Sequence, residues 1–347
     1  MSEIAKIVDF TNKQNLSLLY NNKLICNNLL INGTEFKNIK NISYIVNETH
    51  SYSWKMHFIK HDNKIYFMDY FGNQYENICK KIADINDNIN KKEYKNLNIK
   101  KGLILYNITK SAGHELCFII AGIYLLDKLG LLNEYEIVIS NAILNFGKFM
   151  KSILLLFFKE NQIHFIDDNT IVNISESIIY NPPHYKVHEH NNVLLNKLNL
   201  NLNTNSYYKN VCLIKSTIDG NYLNTPQKCF YQRYLNLFKK NNFHILSPND
   251  YDVITLFNII NNCDNIILSW GCNAWINSIF VNKKTNVMIL CHKGYSNEYN
   301  KNYNYNKNNL TLCTPICNKL IMVYDLESDL NIDSEQKLQE HINILIK

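Results

Sequence analysis

The chain predicts an α/β protein: two Rossmann-like domains facing across a cleft, preceded by a β-rich N-terminal segment. Three observations predict it. Short apolar strands alternate with apolar helical stretches over residues 102–181, and again over 210–290. A polar stretch without a strand signal, 184–209, separates the two runs. Residues Asn262–Phe280 read as strand (Ile266–Leu268), turn (Gly271) and helix (from Ala274). Alternation of this kind argues for parallel sheets with helices on their faces. A strand–glycine–helix junction brings unpaired helix N–H groups to the carboxyl edge of such a sheet, where α/β folds bind phosphates and nucleotides.

Taken in order, residues 1–100 read as short strands and turns. Tyr52–Ile59 and Ile65–Met68 are β-rich, Phe71-Gly72-Asn73 is a turn, and Ile82–Lys101 is a polar surface connection. Gly102–Ile108 is a strand. Gly113–Leu129 carries apolar residues at helical spacing (Leu116, Ile119, Ile120, Ile123, Leu126) and stops at Gly130. Glu136–Ser140 is a strand and Phe146–Lys159 a helix. Ile163–Ile166, Ile171–Val172 and Ser177–Asn181 are three further strands before Pro182-Pro183.

The second run reads strand Asn210–Lys215, helix Pro226–Lys240, strand Phe243–Leu246, helix Val253–Asn261, strand Asn265–Ser269, helix Ala274–Phe280 and strand Asn286–Leu290. Glu298–Asn309 is a low-complexity loop, Leu320–Tyr324 a late strand, and Ser334–Ile346 an amphipathic helix. The expected organisation is a β-rich segment over 1–100, a domain over 101–190, a second over 205–330, and a C-terminal helix over 331–347.

Composition narrows the function classes. At 347 residues the chain suits two domains, and its 46% hydrophobic content supplies a core. About one residue in six is asparagine, which reads as AT-rich coding bias and weakens any motif built on Asn, Lys, Ile or Tyr. The charge of +6, from 36 basic and 30 acidic residues, is scattered; no basic face marks a nucleic-acid binder. The ten cysteines sit mostly singly on apolar segments, as reduced core cysteines do. No secretory leader and no apolar run long enough to span a bilayer is present, so the expected location is cytoplasmic.

Two constellations could carry chemistry. Lys110–Leu116 lies at a strand-to-helix junction and holds adjacent titratable residues, His114 and Glu115. Histidine titrates near neutrality without help and suits a general base. In the second run, Lys215 ends a strand, and Lys228 and Arg233 lie on the following helix. Opposite them stands the 269–277 turn, with Ser269, Gly271, Cys272, Asn273 and Asn277; Ser247 and Asp250 sit at a second strand–helix turn. Such cations and helix starts can stabilise the charge of a departing diphosphate. His184, His188 and His190 have partial zinc spacing but no fourth ligand, and read as polar surface. No spaced carboxylate pair of the Asp-x-Asp kind is present; Asp167-Asp168 is adjacent and lies in a turn.

In this order the pieces resemble glycosyltransferase family 61, which includes capsular-polysaccharide enzymes and O-linked N-acetylglucosamine and xylose transferases. The resemblance spans roughly 102–295. Gly113-His114 resembles the family's Gly-His helix start, Lys215 its strand-end basic residue, and Lys228 its basic helix start. Gly271 through Asn277 to Phe280 resembles its glycine–Asn–Phe stretch. The chain departs from the family where an Asp usually follows the His by a turn; Cys117 and Phe118 stand there. Lysines replace family arginines, which forfeits bidentate phosphate geometry.

The resemblance implies a GT-B-like, inverting glycosyltransferase; the lack of a spaced carboxylate pair makes the expected chemistry metal-independent, and no cofactor is expected. A nucleotide sugar would be its donor and a glycan or protein hydroxyl its acceptor. His114, with Glu115 as second choice, would take the acceptor proton, and the donor would lie on 205–295. Two other readings remain open: an inactive homologue that binds glycan or nucleotide, and an interaction protein on a degenerate α/β scaffold.

Overall fold

The computed structural model describes residues 5–8, 29–31, 34–48, 55–61, 64–68, 94–105, 112–168, 170–181, 188–203, 208–214, 234–269, 272–292, 317–326 and 332–347. The fold is α/β with two separate sheets. The chain divides into two compact units, Met1–Asn145 with Phe157–His190, and Phe146–Leu156 with Asn191–Lys347.

The first unit is built on a nine-stranded sheet. Its strands are β1 (Ala5–Val8), β2 (Leu29–Ile31), β3 (Thr34–Glu48), β4 (Lys55–His61), β5 (Lys64–Met68), β6 (Lys95–Leu105), β7 (Glu136–Ser140), β8 (Ile163–Ile166) and β9 (Thr170–Asn181). The order is β1-β5-β4-β3-β9-β6-β7-β8, with β2 paired to β3. The β9-β6-β7-β8 half is parallel, and the pairs from β1 to β9 are antiparallel. The N-terminal strands are therefore hydrogen-bonded into the same sheet as residues 101–181 and do not stand apart as a separate segment.

Two other expectations change here. Lys95–Lys101 belongs to β6 and is not a surface connection, because it pairs with β9 from Lys95↔Thr170 onward. The two short strands expected at Ile171–Val172 and Ser177–Asn181 are one strand, β9, held through its polar middle by β3 on one side and β6 on the other.

Helix α1 (Ala112–Leu129) follows β6. It ends at Gly130, whose φ of 70° is the left-handed value glycine tolerates. Its face is pressed close to the sheet at Gly122, where a Cβ would fall 2.5 Å from Leu105 Cδ2 and 2.8 Å from the Tyr180 hydroxyl. Glycine is what lets Tyr180, fully buried, bring that hydroxyl to the Phe118 carbonyl at 2.8 Å.

The second unit is built on a five-stranded, all-parallel sheet. Its strands are β10 (Asn210–Leu213), β11 (His244–Leu246), β12 (Asn265–Ser269), β13 (Asn286–His292) and β14 (Lys319–Leu326), in the order β11-β10-β12-β13-β14. Numbered within the unit, this is 2-1-3-4-5, a doubly wound order. Its helices are α2 (Gly147–Phe157), α3 (His188–Asn199, from Asn191 onward), α4 (Val253–Asn261), α5 (Cys272–Asn277) and α6 (Ile332–Ile346); residues 234–240 are also helical.

Both faces of this sheet are covered, as parallel sheets require. On one face Cys212, Ile267 and Met288, aligned by register, pack with Tyr234, Leu237 and Phe238 and with Leu338, Ile342 and Leu345 of α6. The alternate residues Val211, Leu213, Ile266, Leu268, Val287 and Ile289 are buried as well. A second aromatic cluster joins α2 and α4 to the 3-10 turn Ser278–Phe280 after α5: Phe280 meets Phe257 at 5.9 Å and Phe149 at 6.3 Å. The C-terminal helix is thus part of the second core and not a separate piece. The expected polar connection 184–209 contains α3, whose Leu194 and Leu198, four residues apart, form a buried helical stripe.

At the amino edge of the second sheet, the asparagines that open β10, β12 and β13, and Asn318 just before β14, bond to one another. The Asn265 amide donates to Asn210 Oδ1 at 2.8 Å, Asn286 to Asn265 Oδ1 at 2.9 Å, and Asn318 to Asn286 Oδ1 at 2.8 Å. Asn286 also donates to the Leu345 carbonyl of α6 at 2.9 Å. The ladder crosses β10, β12 and β13 in register and ends on exposed Asn318, the residue before β14.

Candidate functional site

In an open doubly wound sheet the crevice for ligands lies outside the carboxyl ends of the strands, where the order reverses. In the second unit that point falls between β10 and β12. The chain leaves β10 for β11 on one side and returns by α4 to β12 on the other. The residues at this edge are Ile214, Ser247 and Ser269. The β10–β11 ladder runs to its last rung there, with the Ile214 amide donating to the Leu246 carbonyl at 2.9 Å. Leu213 stands opposite both Leu246 and Leu268, so the next residues along, Ser247, Ile214 and Ser269, form one row across three strands.

Period-two alternation turns that row toward the face carrying Cys212 and Ile267. Ile214 does pack against that core. The two serines are separated by two strand spacings, about 10 Å.

The turn after β11 is held from below by α2. Residues Pro248–Asp250 form a short 3-10 turn, and Asp252 caps α4 by accepting the Thr255 amide at 2.9 Å. The Val253 amide donates to Ser152 Oγ at 2.7 Å, and Ser152 in turn donates to the Phe149 carbonyl at 2.7 Å. Gly147 closes the contact. Its φ is 70°, and a Cβ there would lie 2.7 Å from the Asn249 carbonyl oxygen. Gly147 and Ser152 were not foreseen as supporting residues; neither lies in a motif, and only the fold brings them beneath this turn.

The sequence-derived donor residues are distributed as follows. Ser247 and Ser269 lie in one row at the carboxyl edge with Ile214 between them, the first half-buried and the second buried. Asp250 is exposed on the turn that follows Ser247. Cys272 and Asn273 occupy the first turn of α5, three residues beyond β12. Asn277, at the far end of that six-residue helix, is buried and so faces the core more than the edge. Lys215, Lys228, Arg233 and Gly271 lie outside the described residues, as does His184. The helix expected from Ala274 begins two residues earlier, at Cys272.

In the first unit, α1 begins at the carboxyl edge of β6, so His114 and Glu115 occupy a first helical turn next to another strand-order reversal, β9 | β6. The His114 side chain lies outside the described residues. Glu115 is fully buried. Burial raises the Tyr180 phenol well above its usual pKa, and the nearby Glu115 charge raises it further. Tyr180 therefore stays a neutral donor. A carboxylate so enclosed has no surface to offer an acceptor hydroxyl, which removes Glu115 from the role of exposed base.

His190, one of the three histidines of the partial zinc spacing, is buried and its ring lies 4.6 Å from that of Tyr124. It is a packing residue. Cys212 and Cys263 are free and buried, and burial pushes the Cys263 thiol up to about 12, so neither is a nucleophile. No helix among the described residues is long and apolar enough to cross a membrane. Compared with known proteins, the chain matches no family model, and no curated protein matches it.

Proposed function

We propose that the chain is a glycosyltransferase of the GT-B type, transferring a sugar from a nucleotide-sugar donor to a glycan or protein hydroxyl with inversion and without a metal. The observation that supports it is the 2-1-3-4-5 order of the second sheet. Its switch point falls between β10 and β12, beside Ser247 and Ser269, and in the sequence Lys215 follows Ile214.

In this reading the diphosphate lies over the β10 and β12 ends, and Lys215 and Lys228 neutralise it. The acceptor oxygen attacks the anomeric carbon from the side opposite the diphosphate. The new C–O bond forms as the carbon–phosphate oxygen bond breaks, and its electron pair leaves on the nucleoside diphosphate. His114 receives the acceptor hydroxyl proton.

The test is binding followed by turnover. A panel of nucleoside diphosphates and their sugars is screened by thermal shift, since a ligand of the native state raises its melting temperature. A ligand found this way should bind Lys215→Ala and Lys228→Ala more weakly by about 1–3 kcal/mol. His114→Ala should lower transfer roughly 10²–10⁴-fold while leaving binding intact. No shift with any nucleotide would favour an interaction protein. Binding without transfer or hydrolysis would favour the inactive homologue, a reading supported by the burial of Glu115, which leaves His114 alone as base.

A further inference from the structure

We infer that the chain forms a two-fold dimer, in which β14 pairs antiparallel with β14 of a second copy and joins the two five-stranded sheets into one. Such pairing is independent of the proposed activity. The two edge strands of the second sheet differ in kind. β11 is three residues long; β14 is eight, the longest strand of the five. Among the described residues β14 pairs with β13 alone, which leaves its outer row of N–H and C=O groups open. Native sheets keep edges of that length covered, charged or interrupted, because an open edge recruits another strand. Here the ladder to β13 runs without a break from Lys319 to Val323 and shifts register only beyond. In sequence, Lys319 and Asp325 flank an apolar stretch, Leu320–Tyr324. Ile321 and Val323 face the core under α6, so Leu320 lies on the opposite face, where it is 36% exposed.

A second copy is the partner that the sequence of β14 fits. A two-fold axis lets one edge serve both molecules. Centred on Met322, the pair sets Lys319 opposite Asp325 of the second copy, Leu320 opposite its Tyr324 and Ile321 opposite its Val323. Cation meets carboxylate at both ends and apolar residues meet between them, the pairings that stabilise antiparallel strands. Centring the pair one residue earlier sets Lys319 against Val323; one residue later, Ile321 stands against Asp325. Helix α6 fits the same axis. It packs over β13 and β14, and Lys319 Nζ donates to the Ile344 carbonyl at 2.8 Å. The axis places both copies of α6 on one face of the joined sheet, two strand spacings or about 10 Å apart, a normal distance between packed helices. On one flank of α6, Gln339 bonds to Asn241 at 2.9 Å. Ile344, turned about 140° from Gln339 around the helix, lies on the other flank beside the β14 edge and is 50% exposed.

The experiment measures the mass of the full chain by sedimentation equilibrium over a wide concentration range, for the wild type, Lys319→Asp, Asp325→Lys and the double variant. The wild type is expected to pass from monomer to dimer as concentration rises. Each single change brings like charges together twice in the dimer and should weaken it about tenfold. The double variant restores opposite charges in exchanged positions and should recover most of what Asp325→Lys loses. Six residues apart on one strand, about 20 Å, the two side chains cannot meet within one copy, so that recovery reports pairing between copies. Salt supplies a measurement that needs no substitution: the wild-type dimer should weaken as ionic strength rises. Wild-type chain that stays monomeric at every concentration would overturn the inference. So would a dimer indifferent to salt and to both single changes, or losses that add in the double variant instead of cancelling.

Discussion

The two edges of the second sheet are built on opposite plans. At the amino edge, Asn210, Asn265, Asn286 and Asn318 spend their amides on each other, and Asn286 also ties down the end of α6. At the carboxyl edge, the side chains in the corresponding row are two serines and an isoleucine, and Ser247 Oγ is bonded to nothing among the described residues. The sheet joining them is the same, and the strands are only three to eight residues long. Polar groups at one end are satisfied inside the protein. At the other, Ser247 Oγ meets no partner among the described residues. Substitutions at the amino edge should thus change stability alone, and those at the carboxyl edge should change binding.

The largest effect expected is from Asn265→Ala. Asn265 is buried and sits mid-ladder, donating to one neighbour and accepting from the next. Its loss orphans Asn210 Oδ1 and leaves a small void, a loss of about 2–4 kcal/mol in denaturant unfolding. Ligand affinity, extrapolated to fully folded protein, should not change. A change there would break the division between the edges.

Gly147→Ala comes next and tests the carboxyl edge through its support. A non-glycine residue at φ 70°, with its Cβ 2.7 Å from the Asn249 carbonyl, either shifts the turn or strains α2. The expected loss is about 1–3 kcal/mol, accompanied by weaker nucleotide binding because Ser247 moves with the turn. Stability loss with unchanged binding would show that the α2 contact does not position the site.

Asn318→Ala removes only the exposed last rung, and should lower stability by no more than about 1 kcal/mol. The gradient from Asn265 to Asn318 distinguishes a ladder sustained by burial from one in which each amide counts equally. Equal losses at the two positions would favour the second.

The smallest effect, and the only one expected to depend on pH, is in the first sheet. There a carboxylate takes the place of an amide: Glu176 accepts from Tyr135 at 2.6 Å and from Asn38 at 3.0 Å. These bonds, Tyr135 foremost, hold its pKa below the usual range. A depressed folded-state pKa contributes stability above the unfolded value that is lost as pH falls through the folded one. The wild type should therefore exceed Glu176→Gln by a small margin at neutral pH, and the margin should close as the pH falls below the ordinary glutamate range through the lower folded-state value. The asparagine ladder should show no such dependence.

How much of this was legible follows from where the signals lie. The strands Glu136–Ser140, Ile163–Ile166 and Asn265–Ser269 and the helix Val253–Asn261 were readable to the residue, because each is a compact apolar run between polar or turn residues. The strand Thr34–Glu48 was missed and Lys95–Lys101 was misread. In both, alternate positions are Asn or Lys, and the apolar half (Ile39, Ile42, Ile99) looks too sparse until a partner strand covers it. The same discounting of asparagine hid the ladder. That Asn210, Asn265 and Asn286 each open a strand is visible in the sequence, but that they meet depends on register, which no single strand encodes. Ser247 and Ser269 were singled out from their turns. Their alignment with Ile214 in one row came only with the strand order.

The short stretch Phe146–Leu156 has a consequence for how this chain can reach its native state. It is read from the gene in the middle of the first unit and is needed, through Gly147 and Ser152, by the second. Neither unit is therefore a continuous piece of polypeptide. A fragment ending near residue 145 would lack β8 and β9 of the first sheet, and one beginning at residue 191 would lack the prop beneath the turn after β11. During synthesis the early helix must wait, its buried Phe149, Met150, Ile153 and Leu154 uncovered, until strands made much later arrive to receive it. That long-range closure slows folding and exposes an apolar surface meanwhile. The halves of this protein are interleaved in time as well as in sequence, and swapping one of them for a relative's would have to carry that helix along.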